Sequence, residues 1–355
     1  MRNRFLRLSG LIISAVITGL TAFFILKNPA EISRGIKTGL TTVGGALIPS
    51  LFPFMVLSCF VQNGRAGEAF SAVFAPVSKH VFRLPSVTST AVFMSFIGGY
   101  PVGARLTQLL LREGKITKKQ AARMCLFCVN AGPAFVISTV GAGLLSNTSA
   151  GVILFVSVTL SSVIIGFLCG RLLADKTEIQ TENITKPKCK NTFEAFTLGA
   201  SQATSAMLSV CAYVLIFSAL CEVLKGLDIS NNLLAFLVGV SEVTNGVMTA
   251  AGSYPLPVIS AIIGFGGLCV HCQVMGAVIE SGLKLRYFFA VRFTSAALSA
   301  VICQALLYLF PVSVNTVAVG SGVTALPSKI SLPCCAAFLL MSVSLIFDIA
   351  PKRKV

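Results

Sequence analysis

The sequence contains few charged residues. Asp, Glu, Lys and Arg together make up 11% of its 355 residues, hydrophobic residues make up 55%, and the mean hydropathy is +0.87. So little charge excludes a soluble domain in which a polar shell surrounds an apolar core. The chain also lacks a Walker loop, a dinucleotide-binding fingerprint, and a Ser, His and Asp set in a soluble domain that could host it. We therefore expect no cofactor and no enzymatic activity.

Long apolar runs are present instead. A run of about 20 residues can cross a hydrocarbon layer of about 30 Å. Two further apolar segments, about 85–111 and 233–251, are interrupted by glycine, proline or polar residues, and these predict broken, re-entrant hairpins. The expected fold is an all-α polytopic membrane protein with about eight transmembrane helices and two broken hairpins. The predicted spans are 8–26, 39–61, 124–146, 150–170, 197–223, 257–279, 288–310 and 331–349.

The net charge of +16 follows the topology that these spans predict. With the N-terminus inside the cell, 22 of the 28 Lys and Arg residues fall on the cytoplasmic side, five fall on the opposite side, and Arg292 lies within a span. This distribution satisfies the positive-inside rule, so the charge does not require a nucleic-acid partner. It also places both termini in the cytoplasm. The first apolar run ends in no small-x-small cleavage site, which favours an uncleaved span over a secretory signal peptide.

The two halves of the chain show internal similarity. Gly39–Phe60 aligns without a gap with Gly199–Leu220, Phe127–Ile164 aligns with Phe265–Ile302, and Gly103 falls near Gly246. Each copy reads as span, broken hairpin, span, span. Because the number of crossings is odd, successive copies enter the membrane from opposite sides, as in the inverted repeats of secondary transporters. The predicted division is an N-terminal helix at 1–35, repeats at 36–173 and 195–311, a cytoplasmic polar linker at 174–194, and a C-terminal loop and helix at 312–355.

Both interrupted segments carry residues that suit a binding site. Between Ser95 and Arg105, three glycines and a proline stop a helix, and the backbone groups set free in lipid need partners. The corresponding stretch 239–246 carries Glu242, and a carboxylate at membrane depth costs several kcal/mol unless it is paired, protonated or hydrated. Glu242 is therefore a candidate binding residue, and a structural hydrogen bond that holds the hairpin is the alternative.

Polar residues also interrupt the span after each hairpin, at Asn130 to Pro133 and at Cys269 to Gln273. Polar groups thus face the hairpins in both copies, as a binding site at the membrane midplane requires. Arg292 must find an anion, the interface or water, and both Glu242 and Glu280 are open as partners. The candidate substrate-binding or ion-binding residues are Glu242, Asn245, Ser241, Thr244, Asn130, Gly99, Tyr100, Pro101 and Gly103.

The 12 cysteines lie almost entirely in apolar runs, which argues against a disulfide framework and for small buried side chains. Cys125 with Cys128 and Cys269 with Cys272 have metal-like spacing. The two pairs do not occupy equivalent repeat positions, so no metal site is expected. His271 with Cys272 is the one candidate nucleophile and base pair, and it does not amount to a recognisable catalytic set.

The sequence resembles the sporulation integral membrane proteins of endospore-forming bacteria, within the wider nucleoside-recognition or Gate-domain membrane proteins. The resemblance covers about 36–310, and it implies a bacterial cell-membrane location and a transporter-like fold with binding residues in its hairpins. Ser241, Glu242 and Asn245 are similar in type and placement to such residues. The first hairpin differs, because Gly99-Tyr100-Pro101 stands where an acidic or amide side chain is expected. The motifs that carry the resemblance are Gly99-Tyr100-Pro101-Val102-Gly103-Ala104, the basic stretch Arg112 to Lys119, and Asn130-Ala131-Gly132-Pro133 with Val140-Gly141.

These observations lead to a transporter or permease for a small polar solute, with a coupling ion as a second candidate ligand and the bilayer as its surroundings. The resemblance adds nucleoside-like solutes and a role in spore formation. The alternative is a non-transporting scaffold for spore envelope assembly. It would hold membrane-protein partners or a second copy of the chain through its basic stretch, which includes Lys118 and Lys119, and through the linker.

Overall fold

The computed structural model describes residues 15–16, 18–19, 22–174 and 191–312. Five long apolar helices in these ranges can cross a membrane, and they confirm the predicted spans 39–61, 150–170, 197–223, 257–279 and 288–310. The predicted span 8–26, for most of its length, the predicted span 331–349, and nearly all of the polar stretch 174–190 lie outside the described residues. The five helices are Pro29–Asn63, Thr148–Leu172, Thr192–Lys225, Leu256–Glu280 and Leu285–Leu309.

The predicted span 124–146 is interrupted near its start, where Asn130 to Pro133 predicted a break. A helix begins at Lys118 and ends at Phe127, residues 128–133 are largely non-helical, and a π-helix follows at Ala134–Leu144. Pro133 has no N–H to donate to a preceding turn, so the helix stops before it. We call the whole unit the first broken helix and residues 128–133 the first break. It starts after Thr117, where Thr117 and Gln120 form a capping box.

The span Leu256–Glu280 is also interrupted. Its helices are Leu256–Phe265 and Gly267–Glu280, and they meet at Gly266. Gly266 and Gly267 have φ values of 88° and 73°, a left-handed conformation that is strained for any residue with a side chain. We call this unit the second broken helix and Gly266–Gly267 the second break.

The two interrupted segments form helical hairpins. The first hairpin consists of Ser89–Ile97 and Tyr100–Arg112 with its tip at Gly98–Gly99, and the second consists of Asn231–Ser241 and Val243–Ala250 with its tip at Glu242. Their arms lie very close together, since a Cβ added to Gly246 would stand 2.5 Å from the Cα of Gly239. Each half of the described chain therefore runs long helix, hairpin, broken helix, long helix.

The hairpins and broken helices lie inside, and the long helices surround them. Pro29–Asn63 packs along Thr192–Lys225, while Leu285–Leu309 packs against Thr148–Leu172 and the second broken helix. The long helices expose large apolar side chains, for example Leu208 and Val301, each 66% exposed. Such side chains face lipid in a membrane protein, where the solvent is hydrocarbon.

The remaining elements join these units. The span Pro29–Asn63 contains a π-helical turn at Val43–Leu47 between Pro29–Thr42 and Ile48–Asn63. The helix Arg65–His80 leads from it towards the first hairpin, with a 3₁₀ turn at Ser86–Thr88. The helix Arg65–His80 is not among the predicted spans or hairpins. In the described ranges the second half has no helix that corresponds to it.

Candidate functional site

The tip of the first hairpin lies against the first break. Gly99 has a φ of 85°, and a Cβ on Gly132 would stand 2.8 Å from the carbonyl oxygen of Ile97 and 3.1 Å from the amide nitrogen of Gly99. Gly103, one turn further along the hairpin, crosses the same break, because a Cβ there would stand 1.9 Å from the carbonyl oxygen of Cys128. The glycines of this motif thus allow backbone to touch backbone.

The tip of the second hairpin is held by Glu242. Its carboxylate Oε1 accepts the amide of Thr244 at 3.0 Å, and Oε2 accepts the backbone amide of Asn245 at 2.7 Å and its side-chain Nδ2 at 2.8 Å. The first amides of a helix have no partner within it, and its N-terminus favours negative charge, so a carboxylate is stabilised here. Three donors use three of the roughly four lone-pair sites of the carboxylate.

The second break lies against this second tip. A Cβ on Gly267 would stand 3.0 Å from the amide nitrogen of Val243 and 3.2 Å from the Cα of Glu242. Each hairpin tip therefore meets the break of the broken helix that follows it in the chain.

The last carbonyls of the helix Leu256–Phe265 all have partners. Ile262 accepts the amide of Gly266 at 3.0 Å, and Ile263 accepts the hydroxyl of Tyr100 at 2.7 Å. The two carbonyls that follow accept the guanidinium of Arg292, through Nη2 at 2.5 Å on Gly264 and through Nε at 3.2 Å and Nη2 at 3.1 Å on Phe265. These are the groups that a helix C-terminus leaves free, and burial requires that they be satisfied.

Arg292 also reaches the first broken helix. Its Nη1 donates to the carbonyl of Val129 at 2.9 Å, so one side chain joins the two breaks. None of the ion pairs in the described part of the chain includes Arg292. Glu280, one of the partners that the sequence left open, instead binds Arg112 through a bidentate pair.

His271 lies beside Arg292, against a group of aromatic rings. Its Nε2 is 3.0 Å from the carbonyl oxygen of Phe265, which can only accept, so Nε2 carries the proton. Phe265, Phe288 and Phe289 surround the ring edge-on. This enclosed histidine donates to the end of the helix Leu256–Phe265, and its neighbour Cys272 is a free thiol.

A small cavity opens between the hairpin tips and the first break. Its volume is about 30 Å³, which is enough for a guest the size of a water molecule. Side chains from both hairpins and both broken helices meet there, and Glu242, 1% exposed, is the carboxylate in its wall. We call it the central cavity. It is lined by Leu47, Leu51, Tyr100, Pro101, Gly132, Phe135, Val210, Val214, Glu242, Val243, Thr244, Val270 and Gln273.

Two more cavities adjoin the central one. The Gln108 cavity, about 60 Å³ and lined partly by Arg105, Gln108 and Ser209, shares Pro101, Val210 and Gln273 with it. The Met248 cavity, about 10 Å³, shares Phe135 and Thr244 with it and extends along Thr139 to Leu144. Because the first broken helix starts beside the Arg112 end of the first hairpin and finishes at Leu144, the two flanking cavities lie on opposite sides of the centre.

The structure gathers part of the predicted site into this cavity. Glu242, Thr244, Tyr100 and Pro101 line it, and Gly99 sits beside it at the hairpin tip. Four other predicted residues bind protein instead. These are Asn245, which donates to Glu242 and Ser218, Ser241, which donates to Leu237 of its own helix, Asn130, which bonds Phe127 and Ser162, and Gly103, which crosses the first break.

Sequence reasoning missed Gln273 as a site residue, although it lines both the central and the Gln108 cavity. It belongs to the polar interruption Cys269 to Gln273, so the signal was present. What the sequence did not show is that this residue, rather than His271, faces the cavity.

The fold and the cavity define a multi-pass integral membrane protein built around interrupted helices. The chain is 25% identical to the sporulation integral membrane protein YlbJ of Bacillus subtilis (strain 168), in an alignment that covers 83% of this chain and 82% of that protein. No known family model and no solved structure matches the chain. The protein is thus a distant relative of a sporulation membrane protein, which confirms that part of the resemblance, whereas Gate-domain membership stays a prediction.

Proposed function

We propose that the protein is a permease for a small polar solute, nucleoside-like solutes being the first to test, and that it acts during spore formation. The observation that carries the proposal is the central cavity, where a buried carboxylate stands between two hairpin tips and a helix break. In secondary transporters, substrate and ion sites are built from discontinuous helices at the membrane midplane. The sporulation role rests on the similarity to YlbJ, a sporulation integral membrane protein.

The order of elements supports an inverted repeat as the basis of this transport. Long helix, hairpin, broken helix and long helix occur in that order in each half, and each hairpin tip meets the following break. With the positive-inside rule, the ion pair of Arg112 with Glu280 lies on the cytoplasmic side, and the Gln108 cavity opens towards it. The Met248 cavity then leads outwards. When the hairpins separate from the breaks, the central cavity opens either towards the Gln108 cavity or towards the Met248 cavity, but not towards both at once.

Each wall of the central cavity has a role in this proposal. The remaining lone pair of Glu242 and the amide of Gln273 hold the polar groups of the solute, and the ring of Tyr100 covers its apolar face. The cavity as described fits only a water-sized guest, so it corresponds to the closed state. A solute of nucleoside size enters only after the hairpins move.

Uptake into proteoliposomes tests the proposal. Labelled uridine, adenosine and other small polar solutes are offered to vesicles with and without the protein. Glu242→Gln keeps the shape of the side chain but removes its charge, so we expect it to lower the initial rate of the transported solute about tenfold or more, which corresponds to about 1.4 kcal/mol.

The matched control is Asn147→Ala. Asn147 also caps a helix, accepting the amide of Ala150 at 3.0 Å, but it lies away from the central cavity. We expect this variant to transport at the wild-type rate per folded protein. Equal transport by Glu242→Gln and wild type would show that the site is elsewhere.

A scaffold without transport is the second candidate. The observation in its favour is the small size of the central cavity, together with a relative that is named for sporulation and not for transport. Lys118 and Lys119 are exposed at the start of the first broken helix and would contact a partner. Reversal of both charges should then stop spore formation while leaving the protein in the membrane. Normal sporulation of that double variant would argue against a scaffold that uses this surface.

A further inference from the structure

The carbonyls around Arg292 form a site that suits a small cation. The oxygens of Gly264 and Phe265 come from the free C-terminal end of a buried helix, and the oxygen of Val129 comes from the first break. A helix C-terminus carries about half an elementary negative charge. In transporters, unwound backbone carbonyls and half-helix C-termini of this kind coordinate the coupling Na⁺.

The guanidinium of Arg292 fills this site. Three of its nitrogens donate to the three carbonyl groups, the side chain is 2% exposed, and no ion pair in the described part of the chain includes it. A buried cation without a carboxylate partner is costly unless other groups compensate its charge. Here the compensation comes from backbone oxygen alone, which is what a bound metal cation would also use.

The two breaks differ in how they satisfy their free carbonyls. In the first broken helix, the carbonyl of Phe127 accepts the uncharged side-chain amide of Asn130 at 2.8 Å. In the second broken helix, the corresponding carbonyl of Phe265 accepts Nε2 of His271 and, in addition, the charged guanidinium of Arg292. A neutral amide is sufficient to satisfy such a carbonyl, so the positive charge at the second break requires its own explanation.

We propose that Arg292 is a tethered cation that occupies a cation-binding site, so that the protein works without a free coupling cation at this position. The assignment of the site to a transport cycle rests on the function proposed above. The binding of a cation to these carbonyls does not rest on that function. The proposal predicts that removal of the Arg292 side chain exposes a site for a small monovalent cation. It also predicts that Na⁺ has no place to bind there in the wild type.

The experiment compares Arg292→Ala with Leu154→Ala. Leu154 is fully buried on the neighbouring long helix, and its truncation leaves an apolar cavity that does not attract ions. Melting temperatures of the purified proteins are measured in detergent with NaCl, KCl or millimolar guanidinium chloride. N-methyl-D-glucamine chloride at equal ionic strength is the reference, because that cation is too large for the site.

We expect at least one small cation to raise the melting temperature of Arg292→Ala by about 3 °C, the effect of filling a site about tenfold above its dissociation constant. The wild type and Leu154→Ala should show no such difference. If Arg292→Ala cannot be purified in folded form, Arg292→Gln, which keeps the stem but not the charge, takes its place in the same comparison.

Two results would overturn the proposal. One is a cation response of the Arg292 variant no larger than that of Leu154→Ala. The other is a Na⁺-specific stabilisation of the wild type equal to that of the variant, because the site would then not be filled by the side chain. No solute is used, so failure here leaves the uptake test of Glu242 unaffected, and the reverse also holds.

Discussion

Gly103→Ala tests the contact between the first hairpin and the first break. The added Cβ would stand 1.9 Å from the carbonyl oxygen of Cys128 and 2.5 Å from the Cβ of Ser95. An ordinary contact between carbon and a carbonyl oxygen is about 3.3 Å or longer. The hairpin and the break must therefore separate by more than an ångström, and neither neighbouring atom belongs to a flexible side chain.

The expected loss of stability is large for a single methyl group. Overpacking of a core costs about 1–3 kcal/mol and occasionally more, and the Gly103 contact is backbone against backbone. We expect about 3 kcal/mol or more, which lowers the melting temperature by about 6 °C or more. Thermal unfolding of the purified protein in detergent measures it.

Gly44→Ala is the control for this substitution. Gly44 lies in a helical turn, and a Cβ there meets nothing within 4 Å. We expect its melting temperature to stay within the equivalent of about 0.5 kcal/mol of wild type. If Gly103→Ala were as stable as Gly44→Ala, the close crossing of hairpin and break would be wrong.

Two further substitutions should cost less stability than Gly103→Ala. Tyr100→Phe removes the hydroxyl that the carbonyl of Ile263 accepts inside the protein, and we expect a loss of about 1–3 kcal/mol by thermal unfolding, because a buried acceptor loses its donor. Arg112→Ala breaks an ion pair with Glu280 that is exposed to solvent, and it should cost less than about 1 kcal/mol in the same assay. An Arg112 effect as large as that of Gly103 would contradict the picture of an exposed, screened pair.

The spans were predictable because length and apolarity alone determine whether a helix can cross a bilayer. Their interruptions were only partly predictable. Clustered glycine, proline and polar residues predicted the two hairpins and the break at Asn130 to Pro133, whereas the polar residues Cys269 to Gln273 lie a few residues after the second break at Gly266–Gly267. Gly266 and Gly267 gave a weaker signal, because glycine is frequent inside transmembrane helices.

The site was less accessible to sequence reasoning than the fold. Glu242 could be selected because its charge is expensive at that depth, but glutamate is not among the preferred N-cap residues, so its hydrogen bonds were not foreseeable. Arg292 binds carbonyls that the helix breaks leave without partners in their own helix. The sequence alone does not show which of these carbonyls lie near Arg292 in space. The polar side chains Asn130, Asn245 and Ser241 have the right chemistry to bind a ligand, but in the folded protein they are already hydrogen-bonded to other protein groups.

The glycine contacts between hairpin tips and breaks also affect how the interior can move. Where Gly132 meets Gly99, and where Gly267 meets Glu242, the touching surfaces are smooth main chain without interlocking side chains. Interfaces of packed side chains resist sliding, because every knob must leave its hole before the next arrangement forms. A joint between bare backbones lacks this resistance. Displacement of a hairpin by an ångström or two would require few rotamer changes, so these joints are the places where the interior can shear at least cost.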